Sequence, residues 1–289
     1  MPTLLAPAKI NLTLEVLARR DDGYHMLRSL MVPVALYDRI SIEPPLALGP
    51  ATSAPALASD NLVMRALAAA GFGADHAVRL DKSIPIGGGL GGGSSDAAAV
   101  LRAAMEGMLG PVPDRDWIAT ARSLGSDVPF FLCGTGAIVE GTGERVTAVG
   151  ALPPWWTVIL RPAVAVETAQ AYRLLDAARE HALVPTRPRA NSATLRAVDA
   201  LQRGDLEQVE RALVNDFHVP VLAAYPPVAR AHAAFVEAGA NQALLSGSGS
   251  CLFALFESEE RARACATRLR PERDQQLFVC AFHRDGTWR

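Results

Sequence analysis

The sequence predicts an α+β fold in two lobes, and three features of it carry that prediction. The N-terminus opens on a strictly alternating stretch, a glycine run joins a strand to an alanine-rich helix, and Leu152-Pro153-Pro154 interrupts the chain near its middle. Strands and helices are mixed without regular βαβ alternation, which argues for segregated layers rather than one parallel sheet. The boundary divides the chain into residues 1–152 and 153–289.

From Ala8 to Val16, the residues Ala8, Ile10, Leu12, Leu14 and Val16 are apolar and Lys9, Asn11, Thr13 and Glu15 are polar. A period of two predicts a strand with one face on the core and the other on solvent or a cleft. Asp21-Asp22-Gly23 predicts a turn. Extended stretches follow over Met26 to Val34 and Arg39 to Glu43, then a Pro/Ala/Gly/Ser-rich surface excursion over Pro44 to Ala58. Ser59-Asp60 is the expected cap of a helix over Asn61 to Ala70. His76 to Ser83 predicts a strand and Asp96 to Met108 a helix, with Ser94, Ser95 or Asp96 as its cap. Asp116 to Leu124 predicts another helix, with Gly125 as a left-handed stop. Beyond short apolar runs at Phe130 to Leu132 and Ala137 to Val139, the second half predicts a strand over Trp156 to Arg161 and a helix begun at Thr168. A Pro/Arg-rich loop (Pro185 to Arg189), amphipathic helices, and a strand–turn–strand over Ala243 to Phe256 complete it.

Composition narrows the function classes. Half the 289 residues are hydrophobic and 20% are charged, as in ordinary globular proteins. A formal net charge of −2, with both signs interspersed, argues against a nucleic-acid-binding surface. Cys133, Cys251, Cys265 and Cys280 form no C-x-x-C pair or zinc-spaced cluster, so reduced thiols are expected. No apolar run approaches the ~20 residues that span a bilayer. Met1 to Lys9 lacks a signal-peptide pattern. A cytoplasmic location with no membrane partner is therefore expected.

The glycine run is the most informative segment. Gly87, Gly88, Gly89, Gly91, Gly92 and Gly93 surround Leu90, and Ser94, Ser95 and Asp96 follow. So much glycine carries a large conformational entropy in the unfolded chain, which packing alone does not require. Without Cβ atoms, backbone N–H groups can reach an anion, and the following helix start adds unpaired N–H groups and a positive dipole end. Strand, glycine loop and helix start together predict a phosphate site. The P-loop pattern fails because Ser94 stands where lysine is required. Gly87, Gly89 and Gly92 fit G-x-G-x-x-G formally, but no acid-terminated strand follows about 20 residues later.

Pro85-Ile86 together with the glycine run through Ser95 resembles the phosphate loop of the GHMP kinases. Pro7-Ala8-Lys9-Ile10-Asn11-Leu12 and Leu245-Ser246-Gly247-Ser248-Gly249-Ser250-Cys251 resemble the family's other two motifs, in the same order. Arg20-Asp21-Asp22-Gly23-Tyr24-His25 and Leu124-Gly125-Ser126-Asp127-Val128-Pro129-Phe130-Phe131 are similar to the branch whose acceptor is a CDP-linked alcohol. The resemblance implies a two-lobed GHMP kinase fold, with an N-terminal ribosomal-S5-domain-2-like lobe and a C-terminal ferredoxin-like α/β lobe. It also implies ATP and Mg²⁺ as cofactors and phosphorylation of a tertiary hydroxyl of that small molecule. A monomer or weak homodimer is expected.

Residue roles follow from the same resemblance. Pro85, Ile86, Leu90, the six glycines, Ser94 and Ser95 are implied to hold ATP, with Asn61 near the adenine. Asp127 is implied as the base that takes the hydroxyl proton, with Lys9 beside it to offset charge in the transition state. Asn11, Tyr24, His25, Thr168 and Tyr172 are implied to contact the acceptor, Tyr24 and His25 at its cytosine. Taken by themselves, Lys9 and Asn11 suit a solvated strand face, Asp127 a turn, Thr168 a helix cap, and Ser246 to Ser250 a hairpin. No carboxylate pair identifies a metal site, which leaves Ser94 or Ser95, phosphates and water for Mg²⁺. Competing readings are a family member acting on homoserine or mevalonate, a non-catalytic ligand sensor, and, more distantly, a dinucleotide-dependent oxidoreductase.

Overall fold

The computed structural model describes residues 3–19, 25–43, 58, 60–73, 76–184 and 192–284. The elements run β1 (Thr3–Arg19), β2 (His25–Glu43), α1 (Leu62–Ala70), β3 (Ala77–Asp81), α2 (Gly92–Met105), α3 (Trp117–Leu124), α4 (Val128–Cys133), β4 (Ala137–Gly141) and β5 (Arg145–Ala148). They continue with β6 (Trp156–Arg161), α5 (Thr168–Glu180), α6 (Ala193–Gln202), α7 (Leu206–Ala212), β7 (Val214–Asn215), α8 (His218–Ala224), α9 (Pro226–Glu237), β8 (Leu244–Leu245), β9 (Leu252–Phe256), α10 (Glu259–Leu269) and β10 (Gln276–Ala281). One sheet has the order β5-β4-β2-β1-β7 with β3 also on β2; the other has the order β10-β6-β9-β8. The fold is α+β, as expected.

β1 is the spine of the molecule because its apolar positions enter three separate cores. Leu4 and Ala6 pack with α1, α2 and α4. Ala8, Ile10 and Leu12 pack with α6, α7 and Phe253 of the second sheet. Leu14 and Val16 join α5, α8, α9 and α10. Each fully buried Leu or Ile on this spine contributes about 1.5–3 kcal/mol.

The polar face of β1 departs from the expectation of a solvent or cleft face: Lys9, Asn11, Thr13 and Glu15 are all buried. Each has its own polar partner, so the alternation marks two interiors rather than an inside and an outside. Other expectations are corrected too. The two extended stretches between Met26 and Glu43 are one strand, β2, with register shifts against β1. Asn61, rather than Ser59 or Asp60, caps α1 by accepting from Val63 N at 2.9 Å. Gly125 is extended, at φ 169°, and is not a left-handed stop. Phe130 to Leu132 lie in α4, whose start is set by Pro129. The turn at Asp21 to Gly23, most of the Pro44–Ala58 excursion and the loop from Pro185 to Arg189 lie outside the described residues.

Glu15 ties β1 to the start of α6. Its Oε1 accepts from Ala193 N (3.0 Å), and its Oε2 accepts from Thr194 N (3.1 Å), Thr194 Oγ1 (2.8 Å) and Ser192 Oγ. The backbone donors are first-turn N–H groups of α6, so a carboxylate from β1 caps a helix of the second half. Burial raises the Glu15 pKa, but the bonds from Ser192, Thr194 and Ala193 outweigh it and hold the group below its ordinary 4.5. A folded pKa below the unfolded one means that this stabilisation is complete above about pH 4.5 and is lost as pH falls through the folded value. Glu15→Ala is expected to destabilise the protein by roughly 2–4 kcal/mol, because it leaves buried donors unpaired at about 1–3 kcal/mol each. Urea unfolding at pH 7 measures the loss, and the gap from wild type should narrow as pH falls below about 4.5. Equal midpoints at pH 7 would show that α6 is held by other contacts.

Candidate active site

β3 ends at Asp81, and the chain from Lys82 to Gly91 forms a loop that runs directly into α2. Gly91 is the N-cap, at φ 73°, and makes no side-chain capping bond. This corrects the expected cap at Ser94, Ser95 or Asp96: all three lie inside the helix. The first bond closing α2 runs from Ser95 N to Gly91 O (2.9 Å). Helix geometry therefore leaves the N–H groups of Gly92, Gly93 and Ser94 without intrahelical acceptors, which suits an anion. A cleft of about 540 Å³ is lined by Pro85 to Ser94, with Asn61, Leu62, Leu80, Lys82, Ile84 and Asp96. Ser95 is buried and does not line it.

Close approach between two loops demands glycine here. A Cβ on Gly89, at φ +74°, would lie 2.0 Å from Ser246 O, and one on Gly88 would lie 2.5 Å from Cys251 Sγ. Cys251 N donates to Gly88 O (3.1 Å) and Ser246 Oγ to Gly89 O (3.0 Å). The second Gly/Ser loop, between β8 and β9, thus backs directly onto the first. Burial pushes the Cys251 thiol up to about 12, partly opposed by Arg161 and Lys9, so it acts as packing and not as a nucleophile.

Lys9 lies beneath this junction. Its Nζ donates to Asn11 Oδ1 (2.6 Å) and Gly89 O (3.0 Å), and stands 3.6 Å from Asp127 Oδ2. Asp127 precedes α4 and is 29% exposed, against 4% for the Lys9 side chain. The acid is thus accessible and the ammonium is not. Asn11, expected to contact substrate, is instead fully buried. Its amide is engaged by Lys9 and by Ser29 Oγ (2.8 Å), so its geometry serves to orient Lys9.

On the far side of Asp127 lies a second group of predicted residues. The His25 ring stacks on Tyr172 at 4.8 Å and 17°, and Tyr172 meets Phe217 edge-on at 4.9 Å. Burial raises the Tyr172 hydroxyl pKa, and the charges of Asp127 and Asp176 raise it further. Thr168 opens α5, but Glu167 is the N-cap; Thr168 Oγ1 faces Ser248 Oγ of the second Gly/Ser loop at 3.1 Å. Tyr24 lies outside the described residues.

The structure adds residues that sequence reasoning missed. Lys82, in the cleft wall, donates to Asp96 Oδ2 (2.7 Å) and to Asp38. Asp38 is fully buried and also accepts from Ser83 N (2.6 Å) and Ile84 N (2.8 Å), which anchors the start of the glycine loop. Burial pushes Asp96 up to about 7, with Lys82 opposing the shift and Asp38 adding to it. Burial lowers the Lys82 pKa, but Asp96 and Asp38 more than restore it, to above 10.5. A charged residue inside the apolar β2 sequence was the available signal for Asp38. Asn215 holds the second loop by donating to Leu245 O (2.7 Å) and Gly247 O (2.8 Å). Among the described residues, no group of three or more His, Cys, Asp or Glu could hold a metal, and no helix is long and apolar enough to cross a membrane.

A phosphate cradle, a buried ammonium and an accessible carboxylate in one site define a phosphotransferase acting on a small alcohol. Family models agree: that for the GHMP kinases N-terminal domain matches residues 61–135, and that for the GHMP kinases C-terminal matches residues 197–273. A 4-diphosphocytidyl-2-C-methyl-D-erythritol kinase of Symbiobacterium thermophilum is 40% identical over 91% of this chain and 94% of its own. The kinase of the same name from Deinococcus radiodurans is 41% identical over 91% and 87%. A crystal structure of 4-(cytidine 5'-diphospho)-2C-methyl-D-erythritol kinase superposes with a TM-score of 0.79 at 38% identity, covering 97% of this chain and 98% of its own. The homoserine kinase of Cytophaga hutchinsonii, at TM-score 0.67 and 18% identity, shares the fold. The chain belongs to the GHMP kinase family and, within it, to the 4-diphosphocytidyl-2-C-methyl-D-erythritol kinases.

Two glycine substitutions separate backbone strain from loop contact. Gly107→Ala has nothing within 4 Å of the new Cβ at φ +72°, and is expected to cost about 1–2 kcal/mol with ATP affinity unchanged. Gly89→Ala adds a collision with the Ser246 carbonyl and is expected to lower stability further and weaken ATP binding at least tenfold. Thermal unfolding and ATP titration measure both. Normal ATP affinity in Gly89→Ala would mean that the two loops need not touch.

Proposed function

We propose that the chain transfers the γ-phosphoryl group of ATP to the 2-hydroxyl of 4-diphosphocytidyl-2-C-methyl-D-erythritol. The observation that carries this reading is the Lys9–Asp127 pair, joined on one side to the glycine cradle through Gly89 O and close on the other to Tyr172. ATP lies in the glycine-lined cleft, with its phosphates on the N–H groups at the start of α2 and its base toward Asn61, Leu62 and Lys82. The acceptor's cytidine occupies the His25 and Tyr172 side, with Thr168 completing it.

Asp127 takes the proton of the acceptor hydroxyl as that oxygen bonds to the γ-phosphorus and the bond to the β–γ bridging oxygen breaks, releasing ADP. Lys9, held in place by Asn11 and Gly89 O, offsets charge that builds on the transferred group. Mg²⁺ bound to the phosphates supplies Lewis-acid stabilisation there. Ser94 fits it: the residue lines the cleft, and a Cβ on Gly125, two residues before Asp127, would come within 3.7 Å of its Oγ. Ser94 would hold the ion, with phosphate oxygens and water as its further ligands.

Release of ADP from Mg-ATP is expected with the CDP-linked acceptor and not with homoserine or mevalonate. Turnover with either of those instead would discard the cytidine pocket while keeping the phosphate cradle. Asp127→Asn is expected to lower kcat by roughly 10²–10⁴ while leaving the fold and ATP binding intact. Near-normal kcat in that variant would remove Asp127 from the proton transfer.

A further inference from the structure

Asp176 lies one helical turn beyond Tyr172 on α5, so both side chains face the same way. Between them they hold His25: Tyr172 stacks on its ring, and Asp176 Oδ1 lies 2.9 Å from its Nε2. Among the described residues, no other hydrogen bond reaches the ring, although the His25 side chain is only 8% exposed. The Asp176 side chain is 38% exposed, and a polar contact that open adds little to stability. Its effect on His25 is better read as chemical.

An ionised carboxylate can only accept, so Nε2 must carry the proton, and Nδ1 of the neutral ring is then an acceptor. Cytosine presents an exocyclic amine at the position where uracil presents a carbonyl oxygen. An acceptor nitrogen meets the amine with a hydrogen bond and the carbonyl with lone-pair repulsion, and leaving polar groups unpaired in this way is what rejects a near-isostere. We infer that Asp176 is a positioning residue which sets the choice of cytosine over uracil by fixing the proton of His25 on Nε2. The inference rests on the reading of the His25 pocket as the cytidine site.

Calorimetric titration of the full chain with CDP and with UDP, the glycine cleft being saturated with ADP, tests it. Wild type should bind CDP more tightly, and Asp176→Ala should shrink that ratio roughly tenfold, the worth of one hydrogen bond. ADP affinity and melting temperature should stay unchanged. Asp176→Asn, whose amide oxygen can accept the same bond, should restore the ratio. Nitrogen NMR of His25 should report Nε2–H in wild type and a tautomer mixture in Asp176→Ala. An unchanged ratio in Asp176→Ala, or an equal loss for both nucleotides, would overturn the inference while leaving the cytidine pocket standing. A wild-type protein that binds CDP and UDP alike would overturn the cytidine reading itself, and this inference with it.

Discussion

The buried ammonium of Lys9 is the constraint around which the rest is arranged. A charged group removed from water is strongly destabilising unless it is paired and hydrogen-bonded. Lys9 meets that demand from three directions: Asn11 two residues along its own strand, Gly89 O in the phosphate loop, and Asp127 before α4. Each partner is thereby held at a fixed place around the ammonium. Its stem is also fitted closely, since a Cβ on Gly91 would come within 3.1 Å of Lys9 Cγ and one on Gly247 within 3.3 Å of Nζ. The two glycine loops are therefore shaped as much by this side chain as by the phosphates they would hold.

β1 can bear this load because every position from Ala6 to Leu17 is buried. Its apolar residues feed three cores, and its buried polar residues reach Ser29, Thr194 and the first turn of α6. Further along, Val16 N donates to Asp216 Oδ2 (2.9 Å), which also takes a bond from Arg179 Nη2 (3.1 Å). A strand that is polar on one face and yet interior over this stretch depends on satisfying each donor and acceptor in turn.

Much of this was legible in the sequence, for physical reasons that can be named. The alternation of β1, the glycine loop with its adjoining helix, and the strand–turn–strand around Ser246 to Ser250 are local patterns, and local patterns declare themselves. What stayed hidden were partnerships between residues distant in sequence. Asp38 falls between the two extended stretches the sequence predicts, yet it lies within β2 and anchors Ser83, Ile84 and Lys82 from a fully buried position. Glu15 reads as a solvent-facing strand residue, yet it caps a helix that begins at Ala193. Asn11 reads as a ligand contact by its place in the motif, but burial makes it a support for Lys9.

These hidden pairings also explain why the site cannot be assigned to either half of the chain. The phosphate loop comes from the first half, but it is braced by Ser246 and Cys251, and Asn215 holds that brace in turn. His25 comes from β2, but its ring is oriented by two residues of α5. Lys9 and Asp127 meet only where the two glycine loops close over them. A donor and an acceptor that must be brought together, each held by different parts of the chain, call for a site at a seam. Here the contacts that hold the seam shut are the same contacts that place Lys9 beside Asp127.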